Sequence, residues 1–185
     1  MAILKVARMG HPVLRQKARE VKPEEIGSPE LERLVEDMIQ TMHEYGGIGL
    51  AAPQVHHSLK LAIIEFDESS ARYPDQGAQP LSVFINPKIT HLDPVPQGFW
   101  EGCLSVPELR GFVERPRKIR VDYLDREGKS RSIEAEGFLA TVFQHELDHL
   151  DGVLYLDRIK DTTKLAFIEE FQRYWAGSGE PELAD

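Results

Sequence analysis

The sequence predicts an α+β fold, with mixed or antiparallel strands packed around one buried helix and further helices near the N-terminus and the C-terminus. Three observations lead there. Apolar residues recur at helical spacing in three separate segments. Between the first and second of these, the chain is a series of extended runs broken by Gly- and Pro-bearing turns. The order of helix, strands, hairpin and helix lacks the regular strand–helix alternation that a parallel sheet requires.

The first helix is expected from Ser28 to about Tyr45. Ser28 suits an N-cap, Pro29 suits the first helical position, and Gly46 and Gly47 end it. Its apolar face holds Leu31, Leu34, Val35, Met38, Ile39 and Met42. The next stretch, GIGLAAPQ (Gly47 to Gln54), is too small and too rich in Gly and Ala to pack as a strand for its own sake. Leu59 to Phe66 reads as a strand, and residues 67–80 as a polar surface loop. Residues 81–89 resume extended structure, with Pro87 favouring an edge or a break. Residues 113–137 read as a β-hairpin with its turn near Glu127 and Gly128. The second helix, about Phe138 to Leu150, is apolar around much of its circumference through Leu139, Val142, Phe143, Leu147 and Leu150, so it should be buried. A third, about Thr162 to Trp175, should bury Leu165, Ile168, Phe171 and Trp175. Residues 1–176 are expected to form a single domain and residues 177–185 a disordered tail.

An apolar content of 41% and a charged content of 29% are those of a globular chain. The net charge of −9 argues against direct nucleic-acid binding. The densest basic run, Arg115 to Arg120, contains Pro116 and Ile119 and reads better as the start of a strand. No stretch approaches a transmembrane length and no signal-like apolar segment opens the chain, so the expectation is a cytoplasmic protein without membrane contact. A single cysteine permits no intramolecular disulfide.

Chemistry concentrates in QHELDHLDG, Gln144 to Gly152. On a helix, His145 and His149 lie one above the other and can aim both imidazoles at one point. Glu146 flanks that point, where it can reach water on a metal; H-E-x-x-H is the signature of two metal ligands and a general base. A catalytic site of this kind needs a third protein ligand. The extended metalloprotease pattern would put histidine at position 155, where this chain has Tyr155. Glu169 and Glu170 would serve a zinc metallopeptidase, the alternative reading, but they sit where a helix should meet solvent. The remaining candidate is Cys103, since a thiolate is a strong ligand for zinc or ferrous iron. Gly102 before it permits close backbone approach or an unusual turn. A closed structural site would need a fourth protein ligand, and no second cysteine exists to supply one.

GIGLAAPQ, EGCLS and QHELDHLDG, in this order and spacing, resemble the three motifs of peptide deformylase. The likeness extends to RMGHPVLRQKA near the start and to the hairpin after Pro107. The resemblance implies a hydrolase that removes the formyl group from the N-terminal methionine of nascent chains. It implies one divalent metal per chain, Fe2+ ahead of Zn2+, Ni2+ or Co2+, held by Cys103, His145 and His149. Glu146 would be the general base, and the Gln54 side-chain amide and the Leu104 backbone N–H would face the developing oxyanion. Ile48 and Gly49 would pair with the peptide, Gly102 would approach it, Val142 would wall the methionine pocket, and Arg115 would lie near the downstream backbone. Glu101 and Asp148 would support the site as structural carboxylates. The partners implied are N-formyl-methionyl nascent peptides and the ribosome near its exit tunnel.

Overall fold

The protein is described here from a computed structural model that covers residues 2–66 and 78–176. The surface loop expected over 67–80 falls, except for its last three residues, outside the described residues, and so does the tail 177–185. Three α-helices are described: α1 (Pro29–Glu44), α2 (Gly137–Leu150) and α3 (Ile168–Tyr174). Six strands form one antiparallel sheet: β1 (Gly49–Ala51), β2 (Leu61–Phe66), β3 (Gln79–Cys103), β4 (Val106–Leu124), β5 (Ser130–Glu136) and β6 (Leu165–Phe167). They run in the order β1-β2-β3-β4-β5, with β6 added to the far end of β4.

The α1 boundaries follow from capping. Ser28 Oγ accepts the Leu31 N–H, Pro29 enters the first turn, and Gly46 (φ +67°) turns the chain out at the far end. The buried side of α1 packs with β1 and β2 in a core of Leu31, Leu34, Val35, Met38, Ile39, Met42, Leu50 and Ile63. A second core lies between α2 and the sheet, where Phe66, Phe84, Phe99, Phe138 and Phe143 meet. Phe84 and Phe143 meet edge to face at 4.9 Å, as do Phe66 and Phe138 at 5.5 Å. α2 is buried along most of its length, as its apolar circumference requires.

Two parts of the fold differ from the sequence reading. β3 runs straight through Pro87, with the break expected there absorbed as a bulge between Ile85 and Lys88. Asn86 takes a left-handed conformation in it (φ +51°), and its amide both accepts from Val21 N–H and donates to Val21 O at 2.8 Å. The third helix is half the expected length. Residues 162–164 form a 3-10 turn, and Leu165–Phe167 pair with Leu109–Gly111 of β4, so the helix begins only at Ile168. Of its expected core residues only Phe171 is fully buried; Leu165, Ile168 and Trp175 are half-buried. Phe171 and Trp175 pack on Trp100 of β3, with ring centroids 5.0 and 5.2 Å away.

Candidate metal centre

The β3–β4 hairpin closes through two residues, Leu104 and Ser105, with Cys103 paired to Val106 across the turn. That turn carries the Cys103 thiol at the tip of a long ribbon. Around it lie Val13, Leu14, Val106, Val113, Leu154 and Tyr155. α2 presents His145 and His149 to the same point, one turn apart on one face. Cys103 Sγ lies 3.3 Å from His149 Nε2, and one donor atom from each of the three residues falls within 4.8 Å of the others. Cys and His donors on one tetrahedral metal would sit about 3.6 Å apart, from bond lengths of about 2.3 and 2.05 Å. All three residues are buried. The donor set, its spacing and its seclusion therefore fit a divalent transition metal.

The surrounding charges orient these donors. Glu101 Oε2 accepts from His145 Nδ1 at 2.8 Å, which turns the other ring nitrogen toward the thiol. Glu101 is fully buried, and burial alone would raise its carboxyl. The Arg115 charge and hydrogen bonds, with that of His145, hold it down at about 2. Arg115 grips both Glu101 oxygens, at 2.6 and 2.9 Å, and reaches Asp148 Oδ2 at 2.8 Å. Arg158 completes the row from outside, 2.7 Å from Asp148 Oδ1. Burial, then the neighbouring His145 charge, pushes His149 well below its ordinary value, leaving it neutral and fit to ligate. Burial opposes a charge on His145 too, but bonds to Cys103 and Glu101 win and draw it toward the protonated form, so metal entry should release a proton there. Tyr155, at the position where a longer metalloprotease motif needs histidine, stacks beside the His145 ring at 6.0 Å.

Glu146 leans the other way, toward β1. Its carboxylate lies so close to Gly49 that a Cβ there would fall 2.6 Å from its Cδ. Glu146 Oε2 is buried and has no protein partner. Burial raises this carboxyl to about 7, with the His145 charge pulling back. A dication at the cluster would pull in the same direction as His145. Gln54 sits beside the thiol, 2% exposed, in the 3-10 turn Ala52–Val55. Its Oε1 accepts the Ala51 N–H at 2.8 Å, and its Nε2 lies 3.2 Å from Ser105 Oγ and 3.5 Å from Cys103 Sγ.

Cys103, His145, Glu146, His149, Gln54 and the Leu104 turn thus converge from three elements. Gly102 is buried in β3 beside Cys103, and Val142 is buried on α2 in the core against which Ile48 packs. Arg115 is 4% exposed, and its guanidinium is bonded to Glu101 and Asp148. The zinc-peptidase alternative finds no support, because Glu169 and Glu170 are exposed on α3 and, among the described residues, the cluster comprises Cys103, His145 and His149 only. Reasoning from the sequence missed Ser105, although it stands inside EGCLS. It also missed Arg158, which carries no local signal.

The Polypeptide deformylase family model matches residues 3–165. A peptide deformylase from Leptospira biflexa is 44% identical over 170 residues, covering 92% of this chain and 95% of that protein. Peptide deformylase 2 from Pseudomonas syringae pv. tomato is 47% identical over 167 residues, covering 90% and 93%. The Met-Ala-Ser-bound crystal structure of a class I type b peptide deformylase from Acinetobacter baumannii superposes with a TM-score of 0.81 at 38% identity, covering 85% of this chain and 99% of that one.

Proposed function

The chain belongs to the polypeptide deformylase family, and we propose that its buried Cys103–His145–His149 cluster, with Glu146 and Gln54, hydrolyses the formyl group from N-formyl-methionyl peptides and releases formate. The observation that carries this reading is the convergence itself: one thiol, two imidazoles, a carboxylate with one oxygen left without a hydrogen-bond partner, and one fixed amide meet in a single buried place. A divalent metal held by Cys103 Sγ and the two imidazoles would supply Lewis acidity, lowering the pKa of water and polarising the formyl carbonyl. Thiolate and imidazole donors suit ferrous iron, and they accept zinc, nickel or cobalt as well.

The remaining work falls to side chains. Glu146 Oε2 takes the proton of the attacking water and passes it to the departing amine, a role that suits a carboxyl raised by burial. Gln54 Nε2 and the Leu104 N–H donate to the formyl oxygen as it gains charge. β1 is the end strand of the sheet, so Ile48 and Gly49 offer the peptide an edge on which to add as a strand. Val142 and Ile48 supply apolar wall for the methionine side chain. Such substrates are the beginnings of nascent chains, which places the enzyme's work near the ribosome, in the cytoplasm. No helix among the described residues is long and apolar enough to cross a membrane.

The test is metal content and formate release from formyl-Met-Ala-Ser, on protein purified without oxygen. One metal per chain and steady formate release are expected. Glu146→Ala should keep its metal while kcat falls about 10²–10⁴-fold. A fully loaded protein that releases no formate overturns the reading, and a metal-free Glu146→Ala makes Glu146 structural.

A further inference from the structure

The Gln54 carboxamide is held at more points than an oxyanion donor strictly needs. Its Oε1 accepts the Ala51 N–H at 2.8 Å, which settles which end of the amide is oxygen. The NH₂ end then has two hydrogens for two neighbours: Ser105 Oγ at 3.2 Å and Cys103 Sγ at 3.5 Å. The sulfur is the poorer acceptor, and it lies on the side of the metal cluster. The hydrogen directed there is the one that a substrate oxygen beside the cluster can accept in place of the sulfur.

Resting on the reading of Gln54 as a donor to the formyl oxygen, we infer that Ser105 is a positioning residue for catalysis: its hydroxyl holds one N–H of Gln54 so that the other stays aimed at the reacting carbonyl. Two hydrogens on one planar nitrogen point in fixed directions about 120° apart. Anchoring one sets the direction of the other. Ser105 is itself fully buried, in the two-residue turn to which Leu104 also belongs. The N-terminal segment ties the two donor loops together from behind. Met9 N–H donates to Ser105 O and Ala7 N–H donates to Gln54 O, both at 2.7 Å. The Ser105 hydroxyl therefore bridges, on the inner side, the same two loops that residues 7–9 bridge on the outer side. A misplacement of about 1 Å in such a donor lowers the rate about 10²-fold.

The experiment is a double-mutant cycle of Ser105→Ala with Gln54→Ala in the metal-loaded enzyme, with kcat and KM measured for formyl-Met-Ala-Ser. Ser105→Ala should lower kcat about tenfold to hundredfold at nearly unchanged KM and metal content. In the Gln54→Ala background the same change should lower kcat less than about twofold. Equal losses in both backgrounds would show that Ser105 acts on the fold or the metal, and would overturn the inference. So would a Ser105→Ala enzyme with the parent's kcat. If Gln54→Ala itself keeps the parent's kcat, the assignment of Gln54 falls and this inference with it, while formate release by the parent leaves the family activity standing. Should Ser105→Ala not fold, Ser105→Thr and Ser105→Val give the comparison, since both add the same bulk and only one keeps a hydroxyl. Thr should retain most of kcat and Val should not; equal values would overturn the inference.

Discussion

Gly49→Ala should cripple the enzyme while leaving it folded. The backbone at Gly49 is that of an ordinary strand, paired with Ile64, so alanine meets no conformational barrier there. The new methyl would lie 2.6 Å from Cδ and 2.8 Å from Cγ of Glu146. Carbon atoms in contact sit about 3.5–4.0 Å apart, so the Glu146 side chain must retreat by roughly 1 Å. A side chain yields more easily than a strand, and a strained rotamer adds only about 1 kcal/mol. In a chain of this size that is a few degrees in Tm, about 2–4 °C per kcal/mol. The base, however, has lost its position. A shift of about 1 Å lowers kcat about 10²-fold, and a flip to another rotamer removes general-base catalysis altogether, about 10²–10⁴-fold. The assay is kcat for formyl-Met-Ala-Ser at measured metal content, beside a melting curve. One metal per chain, a Tm within a few degrees of the parent and a hundredfold lower kcat are expected, the last from the same 1 Å shift. A Gly49→Ala enzyme within about threefold of the parent would refute the reasoning, because Glu146 would then work from somewhere else.

Cys103→Ala should lose tight metal binding together with activity; full metal stoichiometry in that variant would mean another residue completes the ligand set. Glu101→Gln should destabilise the protein by about 3–5 kcal/mol in urea melts, because Arg115 keeps a buried charge with only Asp148 against it. The same variant should bind metal about 10–100-fold more weakly, since His145 loses the carboxylate that turns it; unchanged affinity in a metal-competition titration would deny Glu101 that role. Acetyl-Met-Ala-Ser should be rejected by more than about 10²-fold in kcat/KM relative to formyl-Met-Ala-Ser, each normalised to its uncatalysed hydrolysis, because the extra methyl must displace the carbonyl from its donors. Comparable normalised values would point to a broader amidase.

Local signals were enough where the geometry is set by residues close in sequence. The H-E-x-x-H spacing needs only a helix to become a ligand pair, and α2 is such a helix. Ser28 and Gly46 fixed α1 because a cap is a matter of a few adjacent atoms. Cys103 could be reached by elimination, since the chain has no other thiol. What stayed hidden depends on partners distant in sequence. Leu165–Phe167 follow helical spacing, yet they become strand because Leu109–Gly111 offers an edge more than fifty residues upstream. The long β3–β4 ribbon is obscured by Pro94 and Pro96, which fall at its bulge, and by Gly98, which breaks the alternation within the regular pairing beyond it. The ion pairs of Arg115 left no local trace, because its partners, Glu101 and Asp148, lie 14 and 33 residues away.

Those partners explain why so much charge is buried here. A buried ion pair is poor insurance for stability, since desolvation can outweigh attraction. Its value in this protein lies in where it closes. His145 of α2 bonds to Glu101 of β3, Glu101 to Arg115 of β4, and Arg115 to Asp148, which is again on α2. The ring leaves α2 at one residue and returns three residues later, almost one turn along. Rotating or sliding α2 by a single residue would break both ends of the ring at once and would carry His145 and His149 away from Cys103. An apolar contact in the same place would tolerate such a slip, because hydrophobic packing is not directional. Charged, geometrically specific bonds do not tolerate it. The ring therefore fixes the register of the helix that carries His145, Glu146 and His149 against the ribbon that carries Cys103.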